Sequence, residues 1–569
     1  MLVSGRSRFA WYSKSGAYIA EQPAETLFSG AVLSLSGDGC AVRTYNDARA
    51  LYDTYRQRFW VVVQTHCTDT PPGSTTIWPK ARGRLLIGVS KTEFPEDGFY
   101  QYYVEASPTL GASHVLDYPR IGIDGEAFYT TYAVWSKVKS GAQQGVLLFN
   151  PILIQSATDM ASGQLAVRTR LYDKWFQPSG CVQMSALQPA THYGPTSQGF
   201  FVSHYDTEAD CSYNRNATHN RVLVWSVVNP FSATPTVRRS QVTMTPFDIA
   251  TDTMPQKPAP SGVTPLLNNP IAWEPTNVVW QNNKLYFANT DKALCNGVSF
   301  NAGRVNRLDT SSFPTSVGVD IQRIFSCGSI GDTVSYHHTF PAVGVNSAGD
   351  IALLTTRAGS TIFPELRSGA FLASETDIRS SVPAKVGEAT YIGGGGAVEN
   401  WNDTVQSSQD PFDPSGIWLI SQYARTGGQV NMWVSKMFGN KYPDMYAGGV
   451  AAPLTLPRGV ARTITVTYAN RGDGVAPAMN HSVYLSADET ISSAGDVRVG
   501  TFTTGTLNPA SGTAMQSQSV TIVVPTTVTP GTYYLGSYLN TGNLTEYSFG
   551  DSQNGPAPVM ARPFRVTVN

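Results

Sequence analysis

Histidines beside tyrosines are the residues of this chain best suited to proton transfer. Tyr336, His337 and His338 stand directly before a predicted strand, and Arg357 follows in the next one. A histidine or tyrosine can remove a proton next to a carboxylate while an arginine neutralises that carboxylate. Neighbouring residues of a strand point to opposite faces, so only one of the two histidines can face a shared pocket. The pattern makes His338, Arg357 and Tyr336 candidate catalytic residues of a lyase for acidic polysaccharides.

Further histidine and arginine candidates are spread along the chain. His204 precedes Tyr205 and Asp206, and His192 precedes Tyr193. An aspartate beside a histidine can tune it as a base. Arginines hold a carboxylate through paired hydrogen bonds, so arginines near a carboxyl group would also suit a glycoside hydrolase for acidic sugars. The candidates of this second kind are Arg120, Arg304, Arg307, Arg357 and Glu365.

Aspartates in turns form another class of candidate. Asp117 opens the segment Asp-Tyr-Pro-Arg, and Trp401 is followed closely by Asp403. We expect Asp117, Trp401 and Asp403 to contact a ligand. Aspartate oxygens also suit calcium, so a structural Ca²⁺ would be held by Asp403, Asp410 and Asp413, or by Asp117 and Asp124. The alternative for each of these aspartates is the capping of a backbone turn.

The charge balance excludes several classes of function. The chain has 569 residues with 40 Lys and Arg against 41 Asp and Glu. A nucleic-acid partner would require a basic excess, so none is expected. No apolar run reaches the ~18 residues that span a bilayer, so no membrane insertion is expected. Only 14 % of residues are charged, which argues against long charged helices.

The cysteines indicate the compartment. Six cysteines fall into three consecutive pairs without the CxxC spacing of zinc or redox sites: Cys40 and Cys67, Cys181 and Cys211, Cys295 and Cys327. We predict disulfides with this sequential pairing and an extracellular or cell-surface protein. The alternative is six reduced thiols in a cytosolic protein. The first residues are not a signal peptide, so the expectation is an exported chain whose leader is not present in this sequence.

Short strands joined by turns dominate residues 1–440. Clear examples are 58–65, 84–90, 127–135, 221–228, 350–356 and 416–423. A short helix is predicted near 47–55. A single sheet of more than twenty strands would leave long exposed edges, and radial repetition avoids them. The sequence therefore predicts an all-β fold, with a β-propeller of about seven blades.

The last quarter of the chain differs in composition. It has neither Trp nor Cys from residue 453 onward, and it alternates apolar and polar residues over 463–468. A linker is predicted at 441–452 and an Ig-like β-sandwich at 453–569. This part resembles the CARDB adhesion modules of bacteria, which are Ig-like. The resemblance rests on the segments 470–474, 483–488 and 531–535.

The first part resembles a group of secreted bacterial propeller proteins with a distantly sialidase-like fold. The segments that carry the resemblance are 47–53, 58–60, 89–92, 117–124, 345–350, 401–404 and 410–413. The family reads Trp-Gly-Asp-Tyr where this chain has Trp401-Asn-Asp-Thr404, and the chain lacks the Asp-box of sialidases. The resemblance implies a fold and an extracellular location rather than a reaction.

Three functions remain open on the sequence. The leading hypothesis is a surface protein whose propeller binds a glycan or another surface component, with the Ig-like domain as spacer or docking unit. It predicts a shallow aromatic-lined groove and no pocket of clustered His, Glu and Arg side chains. The rival is a polysaccharide-cleaving enzyme, which predicts an axial pocket with two arginines and a Tyr or His. The third is a structural protein that self-associates, for example through its Ig-like domain.

Overall fold

The computed structural model is almost entirely β-structure. It describes residues 2–5, 7–34, 42–68, 83–105, 115–135, 147–172, 187–204, 218–250, 253–259, 265–268, 274–295, 297–325, 336–378, 381–393, 397–401, 405–439, 441, 443–472, 474–509, 515–539 and 561–569. Among these residues, no helix has the length and apolar character needed to cross a bilayer.

A small antiparallel sheet and two short helices come first. The sheet consists of β1 (Leu2–Gly5), β2 (Arg8–Tyr12) and β3 (Tyr18–Pro23). The helices are α1 (Ala24–Leu27) and α2 (Ser29–Ser34). Phe9, Phe28 and Val61 belong to one apolar cluster, so this N-terminal sheet packs on the sheet that follows it.

Six larger sheets follow. The first holds β4 (Val42–Asp53), β5 (Arg58–Thr68), β6 (Arg84–Ser90) and β7 (Phe99–Glu105). The second holds β8 (Val115–Ile123), β9 (Ala127–Trp135), β10 (Leu147–Phe149), β11 (Ile152–Ser156) and β12 (Thr169–Tyr172), with helix α3 (Ala157–Ala161). The third holds β13 (Gln188–Tyr193), β14 (Gln198–His204), β15 (His219–Val228) and β16 (Thr236–Ile249).

The other three sheets have the same antiparallel order. The fourth holds β19 (Asn277–Gln281), β20 (Lys284–Cys295), β21 (Val298–Asp309) and β22 (Gly318–Phe325). The fifth holds β23 (His337–Val345), β24 (Ile351–Gly359), β25 (Ile362–Phe371) and β26 (Val382–Lys385). The sixth holds β28 (Gln406–Gln409), β29 (Gly416–Arg425) and β30 (Gln429–Phe438). A minor sheet joins β17 (Thr253–Met254), β18 (Leu266–Asn268) and β27 (Val398–Asn400).

The first strands of the six sheets form a closed ring. Each of β4, β8, β13, β19, β23 and β28 contacts the next, and β28 contacts β4. β13 is parallel to both β8 and β19. The sheets are therefore blades around a common axis, as in a β-propeller. The described residues contain six blades, where the sequence analysis predicts about seven.

The blades repeat one local device at the end of the first strand. In four blades, an Asp or Asn side chain accepts hydrogen bonds from two backbone N–H groups of the following turn. These residues are Asp53, Asp124, Asn346 and Asp410. Such a cap satisfies donors that the turn leaves unpaired. In these four blades it fixes where the first strand leaves the axis.

Apolar side chains fill the space between adjacent blades. Trp60 of the first blade stacks on Phe128 of the second, with ring centres 4.5 Å apart. Phe325 of the fourth blade meets His338 of the fifth edge to face. Because neighbouring blades share these buried rings, each sheet is covered on both faces. The ring of first strands is thereby held rigid.

A two-sheet sandwich completes the chain. One sheet holds β31 (Met445–Ala451), β33 (Ala461–Asn470) and β36 (Gln516–Val523). The other holds β32 (Thr455–Leu456), β34 (Met479–Ser486), β35 (Val497–Thr504), β37 (Gly531–Tyr538) and β38 (Phe564–Val568). A single apolar cluster lies between the two sheets.

Two expectations about local structure are wrong. Most of the segment near 47–55, for which the sequence predicts a helix, belongs to strand β4. This strand has twelve residues, pairs with β5 and contacts both its neighbours in the ring. Most of the predicted linker at 441–452 is strand β31, which pairs with β33 inside the sandwich. The small Gly and Ala residues of that segment allow close packing inside the sandwich and do not form a free linker. A Cβ on Gly448, for example, would lie 2.3 Å from Met515.

Candidate functional site

One end of the axial channel is closed by hydrogen bonds. The Tyr193 hydroxyl accepts from the backbone N–H of Gln409 at 2.9 Å, which links the third blade to the sixth. The Gln409 side chain donates to Gln281 Oε1 at 3.1 Å, and Gln281 donates to the Asn346 carbonyl at 2.7 Å. All four residues stand at the ends of first strands and are buried. The end with the turn caps is therefore plugged.

A cavity of about 40 Å³ lies on the axis away from this plug. Five of the six first strands contribute to it, either directly or through the residue before the strand. Its polar lining residues include Arg49, Tyr118, Arg120, Gln188, Thr191, Asn277, Gln406 and Ser407. Asn277 donates to the Val343 carbonyl and to Ser407 Oγ, so it ties three blades together around the cavity.

Two arginines enclose a tyrosine ring in this axial cavity. The guanidinium carbon of Arg49 lies 4.6 Å from the centre of the Tyr118 ring, and that of Arg120 lies 4.4 Å from it. Both arginines are more than nine-tenths buried. Arg120 also forms an ion pair with Glu274. The ring restricts both guanidinium groups, so they are oriented before any ligand arrives.

Bulges in the first strands create this arrangement. The pairing of β4 with β5 shifts between Asn46 and Arg49, and that of β8 with β9 shifts between Asp117 and Arg120. Within these bulges Asp47 has φ 52° and Tyr118 has φ 51°. A bulge re-aims the side chains that follow it. In both blades the re-aimed residue is the arginine, four residues before the capping aspartate.

The cavity has an unused hydrogen-bond donor. Arg120 Nε is buried and has no hydrogen-bond partner among the described residues. The Arg120 guanidinium is ion-paired with Glu274 through another of its nitrogens. A buried donor without a partner costs on the order of 1–3 kcal/mol. An anion that accepts a hydrogen bond from Arg120 Nε would remove that cost.

Three of the candidate catalytic residues lie near one another, but away from the cavity. The guanidinium of Arg357 lies over the Tyr336 ring at 4.7 Å. Arg357 also binds Glu365 on the adjacent strand, at 2.5 and 2.8 Å. This places Tyr336, Arg357 and Glu365 in one cluster on the fifth blade. Because Glu365 already occupies the guanidinium, the cluster has the geometry of a structural ion pair.

Two predicted site residues belong to the core. His338 is fully buried, with Nδ1 3.1 Å from Thr355 Oγ1. Trp401 is fully buried as well, and its Nε1 donates to Thr356 Oγ1. Neither has surface for a substrate, so the predictions of a catalytic His338 and a ligand-binding Trp401 are wrong. The apolar space between blades is the reason, because it requires large rings at these positions.

The remaining histidine and arginine candidates lie in the core, form ion pairs or have side chains outside the described residues. His192 is buried and packs against the rings of Phe200 and Trp280, which also contact each other. Arg304 pairs with the buried Asp291, and Arg307 lies 3.4 Å from Asp320. The side chain of His204 lies outside the described residues, as do Tyr205 and Asp206. Among the histidine and arginine candidates whose side chains the structure describes, Arg120 alone lines the axial cavity.

The acidic candidates are engaged in turns and ion pairs. Asp410 binds Lys14 and caps a turn, Asp413 accepts from Ser415, and Asp124 caps a turn. Asp117 is half-buried beside Tyr118 at the start of its bulge, and Asp403 lies outside the described residues. Within the described ranges, no three Asp, Glu, His or Cys side chains assemble a metal site.

The predicted disulfides stay predictions. Cys40, Cys181, Cys211 and Cys327 lie outside the described residues, as does the side chain of Cys67. Cys295 ends β20 and is buried.

Sequence reasoning missed Arg49, Tyr118 and Glu274. A signal for Arg49 was present: Arg-Ala-Leu-Tyr-Asp at 49–53 matches Arg-Ile-Gly-Ile-Asp at 120–124 in the spacing of Arg and Asp. The helix predicted near 47–55 concealed this equivalence, because a helix would not place residue 49 on the ring. Glu274 follows directly on residues outside the described ranges and has no comparable signal.

Comparisons with known proteins give distant likenesses only. No protein-family model matches the sequence. No curated protein matches it. A Hadza microbial sialidase structure has a TM-score of 0.37 at 8 % identity, over 69 % of this chain and 66 % of that one. A Trypanosoma rangeli sialidase has 0.34 at 8 %, over 92 % and 91 %. An ulvan lyase from a new family of polysaccharide lyases has 0.33 at 9 %, over 77 % and 91 %. At these scores the likenesses carry no argument about activity.

Proposed function

We propose that this protein binds an acidic glycan and that the axial cavity takes the carboxylate of one sugar unit. The observation that carries the proposal is the buried Arg120 with an unpartnered Nε, beside a second buried arginine on the same tyrosine ring. Guanidinium groups match carboxylate geometry better than any other side chain. The protein is then an extracellular glycan-binding protein, with its sandwich as spacer or docking unit.

The size of the cavity limits what enters it. About 40 Å³ holds a few water molecules or one small anionic group, and a whole sugar ring does not fit. The carboxylate therefore enters while its sugar ring stays at the mouth. Uronic acids and sialic acids present a carboxylate in this way. Sulfate and phosphate esters are the competing anions, and the test includes them.

Cleavage of the same glycan is the second candidate function. The phenol of Tyr118 lines the cavity between the two arginines. A phenol beside a neutralised carboxylate is suited to remove or supply a proton. Two arginines and a tyrosine at one axial cavity are the arrangement that the enzyme hypothesis predicts. A lyase would use Tyr118 to move the proton next to the carboxylate, whereas a binding protein uses Tyr118 only to orient the arginines.

The binding experiment is a calorimetric titration with glucuronate, N-acetylneuraminate, glucose and glucose 6-sulfate. We expect the two carboxylated sugars to bind and glucose to be inert. Arg120→Gln alone breaks the ion pair with Glu274 and risks misfolding. The double variant Arg120→Gln, Glu274→Gln avoids this and should weaken binding at least about tenfold. Arg323→Gln, a half-exposed arginine of the fourth blade, is the matched control.

Each outcome decides the proposal. If the double variant and the Arg323→Gln control bind the carboxylated sugars with equal affinity, carboxylate binding in the cavity is refuted. If glucose 6-sulfate binds more strongly than the carboxylated sugars, the ligand group is a sulfate and not a carboxylate. Release of new reducing ends from an acidic polysaccharide, lost in Tyr118→Phe while binding persists, would make the protein an enzyme.

A further inference from the structure

A second cavity adjoins the axial one. It lies between the first and sixth blades, where β28 meets β4, and has a volume of about 120 Å³. We call it the seam cleft. Its main lining residues are Lys14, Tyr52, Phe59, Ser408, Trp418 and Val434. The residues Ala50, Leu51, Gln406 and Ser407 line both cavities, so the two spaces border on the same strand segments.

The seam cleft is lined mainly by apolar and aromatic surface. Tyr52 and Phe59 meet edge to face with ring centres 4.8 Å apart, and Trp418 comes from the sixth blade. All three rings are partly exposed. Aromatic rings that are not covered by the protein offer flat apolar area together with polar edges, and such surfaces suit ligands with one apolar and one polar face. The C–H face of a pyranose ring has this character.

Charge distinguishes the seam cleft from the axial cavity. Lys14 is the charged side chain among its described lining residues, and its Nζ binds Asp410 Oδ1 at 2.8 Å. Asp410 also accepts from Trp418 Nε1 and lies 3.7 Å from Lys436. The Lys14 charge is thus partnered within the protein. The described lining of the cleft includes no arginine, and its mainly apolar surface favours an uncharged ligand.

Resting on the proposed function, we infer that the seam cleft binds an uncharged pyranose ring of the same glycan whose carboxylate enters the axial cavity. The cleft has about three times the volume of the axial cavity, which accommodates a ring rather than one functional group. The shared lining places the two subsites side by side. The ligand is then a polysaccharide with both acidic and uncharged units.

The test uses the full chain and hexasaccharides of hyaluronan, chondroitin and glucuronoxylan, with glucuronate as the acidic monosaccharide. At least one hexasaccharide should bind more tightly than glucuronate. Trp418→Ala should weaken that hexasaccharide about tenfold, the loss typical of removing an aromatic anchor. Its affinity for glucuronate should be unchanged. Trp433→Ala on the same blade, where the ring packs on Tyr423 outside the cleft, is the matched control.

Trp418→Ala also removes a hydrogen bond to Asp410, so a second variant protects the test against misfolding. Ser408→Trp retains that bond and fills the cleft, and it should give the same selective loss. The inference is overturned if no hexasaccharide binds better than glucuronate, or if both variants bind hexasaccharide as the wild type does. Loss of glucuronate binding in Arg120→Gln, Glu274→Gln would still support the proposed function in that case. If glucuronate itself does not bind, the proposed function and this inference both fall.

Discussion

At the scale of single residues, position on the ring decides which polar groups are available to a ligand. Arg49 and Arg120 stand four residues before a capping aspartate in adjacent blades, so they reach the axis at the same level. The fifth blade has Ala342 at the equivalent place before Asn346, and the sixth has Gln406 before Asp410. The positive charge is therefore confined to the side of the channel formed by the first two blades.

The residue types that could form a site were partly predictable from the sequence, whereas the burial of their side chains was not. Arg120 follows from its motif, because Pro119 and Asp117 mark a turn that directs an arginine. His338 and Trp401 look equally suitable in the sequence, yet both fill gaps between blades. Burial depends on how neighbouring blades approach each other, and that distance is not encoded in any local pattern.

His192 gives a pH prediction. Burial against Phe200 and Trp280 lowers its pKa to about 3, so the folded protein keeps it neutral where the unfolded chain protonates it. The free energy of unfolding should fall by about 1.4 kcal/mol per pH unit from this residue as the pH drops below 6.5 towards 3. Burial also lowers the pKa of His337 and of His481 to about 4, with the same sign.

Urea denaturation at pH 4.5, 5.5, 6.5 and 7.5 measures this effect. His192→Gln can still accept the hydrogen bond from the Phe200 N–H and does not titrate. The variant should therefore show a shallower pH dependence than the wild type. Parallel curves for the two proteins would mean that His192 does not contribute the predicted linkage.

At the scale of strands, the sequence predicts most of the fold because local patterns decide most of it. The strand predicted at 127–135 coincides with β9, since its β-branched and aromatic residues alternate between two buried faces. The prediction of a helix near 47–55 is wrong, because the Ala and Leu residues of this segment follow a bulge in strand β4. Tertiary pairing with β5 overrides that local preference. The number of blades could not be predicted from the sequence, because closure of the ring depends on the packing angles between sheets.

Gly122 tests how tightly the first strands approach each other. A Cβ at this position would lie 2.5 Å from the carbonyl oxygen of Ala190 on the neighbouring first strand. Because the obstacle is backbone, Gly122→Ala should destabilise the protein by about 1–3 kcal/mol. Gly318→Ala is the control, since its Cβ would meet Asp309 at 3.5 Å, an ordinary contact. Equal urea midpoints for the two variants would contradict the close packing of the ring.

At the scale of the whole molecule, the N-terminal sheet connects three parts of the chain. Its turn places Lys14 against Asp410 of the sixth blade at 2.8 Å. The next residue, Ser15, donates its backbone N–H to the carbonyl of Arg471 in the sandwich at 3.0 Å. The sheet also packs on the first blade. It therefore spans the seam where the ring closes, although it adds no strand to the sixth blade.

Removing the Lys14 ammonium should loosen that seam. Lys14→Met leaves the buried Asp410 carboxylate with its two backbone N–H donors, Trp418 and Lys436, and should cost about 2 kcal/mol, less than the full loss of a buried pair. Hydrogen exchange should rise in β28 and β29 before it rises elsewhere. Lys385→Met, which breaks the exposed pair with Glu388, is the control. Unchanged exchange at β28 and β29 in Lys14→Met would show that other contacts close the ring.

The most direct measurement is a crystal structure of the protein with glucuronate. The account predicts a carboxylate on the axis, within hydrogen-bond distance of Arg120 Nε and of the Arg49 guanidinium, and the sugar ring at the cavity mouth. A ligand bound at another surface, with the axial cavity holding water alone, would contradict it.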